Sequence, residues 1–263
     1  MATDEGDTAD PVRGTTAADR VADVLLAFSA GEPRLGVTAL SRQLGLSKAV
    51  VHRILQSLVA KGLLQYAAGT RAYDLGPAAA MLGARMLSQM DIRDISRPEL
   101  IELRSATGET TTLSLLVNDG RAYVEQYVSP QEITMTVELG RSYPLHAGAS
   151  SQAILANLDG RDRDRVLDGA LPALTAGTIT DRGTLLAALE EVRRRGYAAT
   201  RGERQPGAAS VAAPIFAAGG RVAGAISVCG PLYRFDDPVI ARLVPMVVAV
   251  ARRISRHFAG ADR

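Results

Sequence analysis

The stretch SKAVVHRILQSLVAKG, residues 47–62, decides how the N-terminal end of this chain folds. Ser47 is a good helix N-cap, because its hydroxyl can accept from the free amides of a first turn. Behind it Val51, Ile54, Leu55 and Leu58 recur at i, i+3, i+4 and i+7, the spacing of one buried helical stripe, and the run ends by Gly62. Burying that stripe leaves Lys48, His52 and Gln56 on the opposite one at spacing four, with Ala49 and Arg53 beside it. That face carries no acid. A helix lying in the major groove needs donors for phosphates and base edges, which Lys48, Arg53 and Gln56 supply and a carboxylate would oppose. An ordinary solvated helix face mixes both signs to form i, i+4 pairs. His52 fits either a structural, solvent-facing role or a contact to a phosphate or base.

Working outward, Val21, Val24, Leu25 and Phe28 repeat the helical stripe and predict a first helix that stops near Gly31. Thr38 is placed to cap a short second helix carrying Leu40 and Leu44, and Gly45 supplies the positive φ that ends it. Two helices joined by a tight turn result. After Gly62, LLQYAAGTRAYDL (63–75) alternates on both sides of Gly69-Thr70, which predicts a small hairpin, a wing, with Arg71 just past its tip. The formal charge of the whole chain is only +2, yet the window from Pro33 to Tyr73 holds Arg34, Arg42, Lys48, Arg53, Lys61 and Arg71 without one Asp or Glu. That window is +6 and the remainder −4. Nucleic acid responds to such a distribution, not to the sum. The candidate DNA contacts are therefore Arg34, Thr38, Arg42, Ser47, Lys48, Ala49, His52, Arg53, Gln56 and Arg71.

The rest of the chain has a different texture. Residues 1–15, rich in Asp, Thr, Gly and Ala, read as a disordered tail; 16–76 form the winged helix-turn-helix; 77–108 are linker helices, with Pro98 beginning or bending the second. Residues 109–260 form a second domain. There TTLSLLV (111–117), Asn118-Asp119-Gly120 and RAYVEQYV (121–128) read as a hairpin, followed by a strand around ITMTVEL (133–139). Helical patterns at Ser150–Leu158 and Thr184–Arg195 interleave with strands ASVAAPIFA (209–217) and RVAGAISVC (221–229), joined at Gly219-Gly220. A last helix from Asp237 to Phe258 aligns Ile240, Leu243, Val244 and Val247. The fold class is α+β in two domains.

Composition excludes several functions. No apolar run approaches the roughly 18 residues that cross a bilayer. The N-terminus carries Asp4, Glu5, Asp7 and Asp10 instead of the basic and apolar layout of a secretory signal, which points to the cytoplasm. One cysteine, Cys229, permits neither an intramolecular disulfide nor a multi-cysteine metal site, and no metal or cofactor is expected. His146, Ser150 and Cys229 are the residue types of a hydrolase, but there is no G-x-S-x-G elbow, no H-E-x-x-H and no G-x-x-x-x-G-K, so no enzyme is expected.

These residues resemble the IclR family of bacterial transcriptional regulators. Its recognition helix often begins with Pro or Ser followed by Lys-Ser-Thr-Val-His-Arg, and here Ser47-Lys48-Ala49-Val50-Val51-His52-Arg53 matches at Lys, Val, His and Arg. Ala49-Val50 in place of Ser-Thr exchanges two hydroxyls for methyl groups that suit thymine, so phosphate binding is expected to persist and base preference to differ. Four further phrases extend the resemblance over about 245 residues: Gly108-Glu109-Thr110, SYPLHAGASSQAILA (142–156), Gly196-Tyr197 and AISVCGP (225–231). The resemblance implies a GAF-like C-terminal domain that binds a small organic effector. The positions matching the family's pocket are Ala149, Ser150, Thr200, Ser210, Ser227 and Cys229. Ser150, at the start of a helix, suits an anion such as a carboxylate, and an aromatic ligand is the other expectation. At Thr200 the family often carries an acid, so effector identity does not transfer. Small residues here leave room for a ligand; a constitutive DNA-binding protein whose C-terminal domain only dimerises is the alternative. The expected partners are double-stranded DNA with a near-palindromic operator and a second copy of the chain, as a homodimer or dimer of dimers.

Overall fold

A computed structural model describes residues 15–30, 32–87 and 89–261. The expected tail lies outside these except for Thr15, which caps α1 (Thr16–Leu26) by accepting from the Ala18 amide. Gly31, the expected stop of that helix, also lies outside the described residues; α1 ends at Leu26 and tightens into a 3-10 turn at Ala27–Ser29. The chain divides into two compact units between Ala84 and Arg85.

In the first unit α2 (Val37–Leu44) ends at Gly45, whose φ of 65° is left-handed, and α3 (Lys48–Ala60) begins after Ser47, whose hydroxyl accepts from the Val50 amide. The N-cap of α2 is Gly36, not Thr38. Leu35 exchanges backbone hydrogen bonds with Tyr73, which holds it extended and starts the helix directly after Gly36. A Cβ at Gly36 would stand 3.1 Å from the Arg71 carbonyl, so a small residue belongs there. The buried stripe of α3 is Val51, Ile54, Leu55 and Leu58, packed with Val24, Leu40, Leu64 and Tyr73. The wing is the antiparallel pair β1 (Leu64–Tyr66) and β2 (Tyr73–Leu75). α4 (Pro77–Leu87) buries no residue.

In the second unit α5 (Asp91–Thr107) runs through Pro98 instead of starting there. The strands are β3 (Thr110–Val117), β4 (Gly120–Tyr127), β5 (Ser142–Pro144), β6 (Ala198–Arg201), β7 (Ala208–Phe216) and β8 (Val222–Pro231). They form one antiparallel sheet in the order β5-β4-β3-β8-β7-β6. On one face Leu113, Val211, Ile215, Ile226 and Val228 meet α5 and α9 (Asp237–Ala261) through Leu100, Leu103, Leu243, Val247 and Ile254. On the other, Ala198, Ala212 and Ala225 let α6 (Ala149–Leu155) and α8 (Arg182–Arg195) pack closely. Every residue of α6 is buried, which its run of Ala and Ser allows. The α+β architecture is the one the patterning implied.

Besides the short edge strand β5, which the sequence reading did not predict, residues 133–139 and 160–168 differ from expectation. Residues 133–139 are not a strand; only Leu139 makes a bridge, to Tyr123. Side chains take the backbone groups a ladder would have used: Gln126 bonds both the amide and carbonyl of Val137, and Thr110 donates to the Met135 carbonyl. A short helix, α7 (Gly160–Asp168), has no counterpart in the sequence reading, because GRDRDRVLD buries only Leu167 and offers no apolar stripe to read. Among the described residues no helix is long and apolar enough to cross a membrane.

Candidate DNA-reading surface and ligand cavity

On α3, Lys48, Ala49, His52, Arg53 and Gln56 are all exposed, as are Ser47 before it, Arg42 and Thr38 on α2 and Arg71 in the wing turn. Burial of the opposite stripe fixes which side chains face water. Among the described residues no acid comes within ion-pair distance of Arg42, Lys48, Arg53, Lys61 or Arg71. Arg34 differs: its Nε donates to Asp74 on β2 at 3.2 Å, so this cation is partly neutralised and ties the segment before α2 to the wing. Val50 turns away from the reading face. It is half-buried and packs against the core of this unit, which leaves Ala49 as the exposed methyl.

In the second unit one cavity of about 30 Å³ gathers five of the six sequence candidates: Ala149, Ser150, Thr200, Ser210 and Cys229. The register explains the convergence, since Thr200 pairs with Ser210 and Ser210 with Cys229 across β6, β7 and β8. The hydroxyls of Ser150, Thr200 and Ser210 make no hydrogen bond among the described residues. Ser227 does not line the cavity; its hydroxyl is 2.7 Å from that of Thr112 within the sheet. Cys229 is a free, buried thiol whose pKa burial pushes up to about 11. His146 is also buried, with Nε2 2.9 Å from the Pro172 carbonyl, so it ties the loop before α6 to the segment after α7.

Sequence reasoning missed the charged residues of this cavity. Arg121 and Tyr123 enter from β4, and Glu203 and Arg204 from the turn after β6. Glu203 accepts from the Gly148 amide at 3.2 Å and from Gln152 Nε2 at 2.7 Å. Burial raises its pKa, and the Gly148 bond offsets this only in part. Glu203 thus brings an acid into the cavity three residues after Thr200, and it takes up the amide of Gly148, the residue before α6. Thr175 and Thr178 hold this turn by donating to the Gly202 and Glu203 carbonyls, each at 2.6 Å. Gly148 has φ 87° and ψ 158°, a conformation that side chains resist, and a Cβ there would lie 3.2 Å from the Arg204 Cβ.

The phrases that carried the resemblance also acquire reasons. Gly108 ends α5 in a left-handed conformation, Glu109 is buried against Arg234 in a two-pronged ion pair at 2.6 and 2.9 Å, and Thr110 bonds the 133–139 segment. Gly230 lies where a Cβ would meet Glu109 Oε2 at 2.5 Å. One end of the sheet is locked by these contacts.

A helix-turn-helix with an acid-free exposed face and an exposed arginine in its wing turn, joined to a separate α+β unit, defines a DNA-binding transcriptional regulator of the winged helix-turn-helix class. The chain belongs to the IclR family. Residues 17–68 match the IclR helix-turn-helix domain and residues 84–256 the C-terminal domain of bacterial IclR transcriptional regulators. It is 34% identical over 245 residues to the HTH-type transcriptional regulator BhcR of Paracoccus denitrificans, covering 92% of this chain and 87% of that one. It is 31% identical over 256 residues to the glycerol operon regulatory protein of Streptomyces griseus, covering 95% and 99%. A crystal structure of an IclR transcriptional regulator from Silicibacter superposes with a TM-score of 0.83 at 31% identity, covering 92% of this chain and 96% of that one.

Proposed function

We propose that this IclR-family regulator is ligand-responsive: a small organic effector bound in the C-terminal cavity changes the affinity of the N-terminal unit for its operator. Lys48 and Arg53, with Arg42 and Arg71, hold phosphates; Ala49, His52 and Gln56 face base edges; Ser47 and Thr38 add hydroxyls. The observation that carries the sensor reading is the convergence of three unbonded hydroxyls and two guanidinium groups on one cavity. A domain serving only to dimerise fills that space with large apolar side chains. Catalysis is not favoured, because the Cys229 thiol is held protonated and the His146 ring is engaged by a backbone carbonyl.

The regulator acts as a homodimer or a dimer of dimers, reading half-sites about 34 Å or a multiple apart in a near-palindromic operator. α4 supports this by exposing Met81, Leu82 and Met86, the last two one turn apart on one side. Effector binding shifts the equilibrium between arrangements of the two recognition helices and so alters operator affinity.

A thermal-shift screen of small carboxylates and aromatic acids on the full chain tests the sensor. A hit raises Tm, changes operator affinity in a fluorescence-anisotropy titration, and loses both effects when Ser150 is enlarged to Leu. Hits that raise Tm yet leave operator affinity unchanged would sink the sensor reading in favour of a constitutive DNA-binding protein.

A further inference from the structure

Arg121 carries a charge that the protein does not balance. Its side chain is 1% exposed. Nε donates to Ser151 Oγ at 2.7 Å and Nη2 to the Tyr123 hydroxyl at 3.1 Å, while Nη1, also shut off from solvent, donates to nothing. No carboxylate lies within ion-pair distance of it among the described residues. Two tyrosine rings flank the guanidinium, their centroids 4.4 Å away at Tyr123 and 5.3 Å at Tyr143, which helps hold the group in place without neutralising it. An uncompensated buried cation is costly, so its persistence needs a reason.

The backbone shows how the imbalance arises. Strict alternation along β4 would put Glu125 on the same face as Arg121 and Tyr123, where it could neutralise the guanidinium. A β-bulge prevents this: Leu113 pairs with Glu125 but Ser114 with Tyr123, so one extra residue, Val124, stands in β4. Beyond it Glu125 points to the α5 side and pairs with Arg93 at 2.5 Å. Arg121 is left alone, lining the cavity with Arg204 and Glu203.

Counting these three groups gives the cavity a net charge of +1. Arg204 stacks 5.2 Å from the Tyr143 centroid and has no acid within ion-pair distance among the described residues. Glu203 uses Oε2 for both of its hydrogen bonds, leaving Oε1 without a donor among the described residues. The space is about 30 Å³, far below the roughly 300–1,000 Å³ of sites for drug-sized ligands. Building on the sensor reading above, we propose that Arg121 is the anion-binding residue of this cavity, and that its ligand is a short monocarboxylate bearing a hydroxyl. The carboxylate completes the fork of Arg121 through Nη1, and the hydroxyl donates to Glu203 Oε1. A dicarboxylate sets its second charge against Glu203.

Calorimetric titration of the full chain with glycolate and lactate, beside propionate, malonate and propane-1,2-diol, tests this. Glycolate or lactate binds tightest, propionate less, and malonate and the diol least. Arg121→Met, which keeps the length and loses the charge, weakens glycolate or lactate binding by about tenfold to a hundredfold, and Arg121→Lys retains an intermediate affinity. Tm separates a ligand role from a structural one: ligand-free Arg121→Met melts no lower than the parent, because an unpaired buried charge has been removed. Glu203→Gln narrows the gap between lactate and propionate while propionate still binds. Equal binding of the diol and lactate, or of lactate to the Met variant and the parent, overturns the assignment, as does failure of every monocarboxylate to bind. A ligand-free Arg121→Met that melts well below the parent gives Arg121 a structural role and overturns the assignment as well. An operator titration separates the two proposals. Lactate that binds through Arg121 without altering operator affinity defeats the sensor and leaves the Arg121 site; an operator response that survives Arg121→Met does the reverse.

Discussion

The cations of α3 and the cation of β4 stand in opposite situations. Lys48 and Arg53 sit in water on a helix whose other side is fully packed, and no acid faces them among the described residues. Arg121 is buried against the sheet with two polar neighbours and one idle nitrogen. Solvated charge costs the fold almost nothing and acts over a Debye length, which suits a polyanion approached from solution. Buried charge is costly until it is met, but then acts in a low-dielectric site where one small anion has a large effect. The comparison separates affinity from stability: substituting the exposed cations should change DNA binding and not Tm, whereas changes around the cavity should register in the fold.

The largest expected effect tests the exposed side. Lys48→Ala with Arg53→Ala should weaken operator binding at least about tenfold, and the slope of log affinity against log salt should fall by about one for each phosphate no longer neutralised. Tm should stay within the scatter of a surface substitution. Operator affinity unchanged at several salt concentrations would remove α3 from the DNA interface.

Next comes Gly148→Ala, which strains a backbone at φ 87° and ψ 158° and pushes a methyl to 3.2 Å from the Arg204 Cβ. A loss of about 1–3 kcal/mol is expected in chemical denaturation, with weakened ligand binding and intact DNA binding. A full-strength fold in this variant would mean the loop before α6 is freer than its hydrogen bonds to Glu203 and α6 imply.

Glu203 gives a smaller, pH-dependent effect. Burial raises its pKa in the fold above that in the unfolded chain, so the folded state holds the proton more tightly. Its stabilising contribution is therefore complete below the unfolded pKa and is lost as pH rises through the higher folded value. Glu203→Gln should remove that part of the slope, gaining on the parent as pH rises from the ordinary glutamate range towards neutrality, as read from denaturation midpoints at fixed ionic strength. Parallel pH profiles would show that Glu203 ionises as it does in water.

How legible these regions were in the sequence follows from the same contrast. The stripe of Val51, Ile54, Leu55 and Leu58 is local, so it named both the buried face of α3 and the residues opposite it. The five cavity positions were proposed by resemblance; strand register brings Thr200, Ser210 and Cys229 together, and α6 carries Ala149 and Ser150 to them. Arg121 stood in plain view in RAYVEQYV, alternating with Tyr123, yet its isolation depends on one extra residue in β4 and a partner on α5, neither of which periodicity carries. Residues 133–139 misled for a related reason: their alternation is real, but Gln126 and Thr110 side chains claim the backbone groups a neighbouring strand would need. At Thr38 the local capping rule lost to a long-range bridge between Leu35 and Tyr73.

Arg34 belongs to neither side cleanly, which makes it the finest test of the contrast. Counted with the +6 window it is a phosphate contact; bonded to Asp74 it is scaffolding for the wing. Its side chain is 61% exposed and that of Asp74 25%, so the pair is worth only about 0.2–1 kcal/mol, screened by salt. A double-mutant cycle with Arg34→Ala and Asp74→Ala separates the roles. If Arg34 serves the wing, the two substitutions should couple in stability, and Asp74→Ala should cost DNA binding as well, because the wing loosens. If Arg34 is free to reach a phosphate, Asp74→Ala should instead strengthen DNA binding by removing a competing carboxylate, and Arg34→Ala alone should lower the salt slope. The 3.2 Å contact and the adjoining Leu35–Tyr73 bridge favour the first outcome: among the described residues this is the one cation of the window whose charge the fold already partly uses.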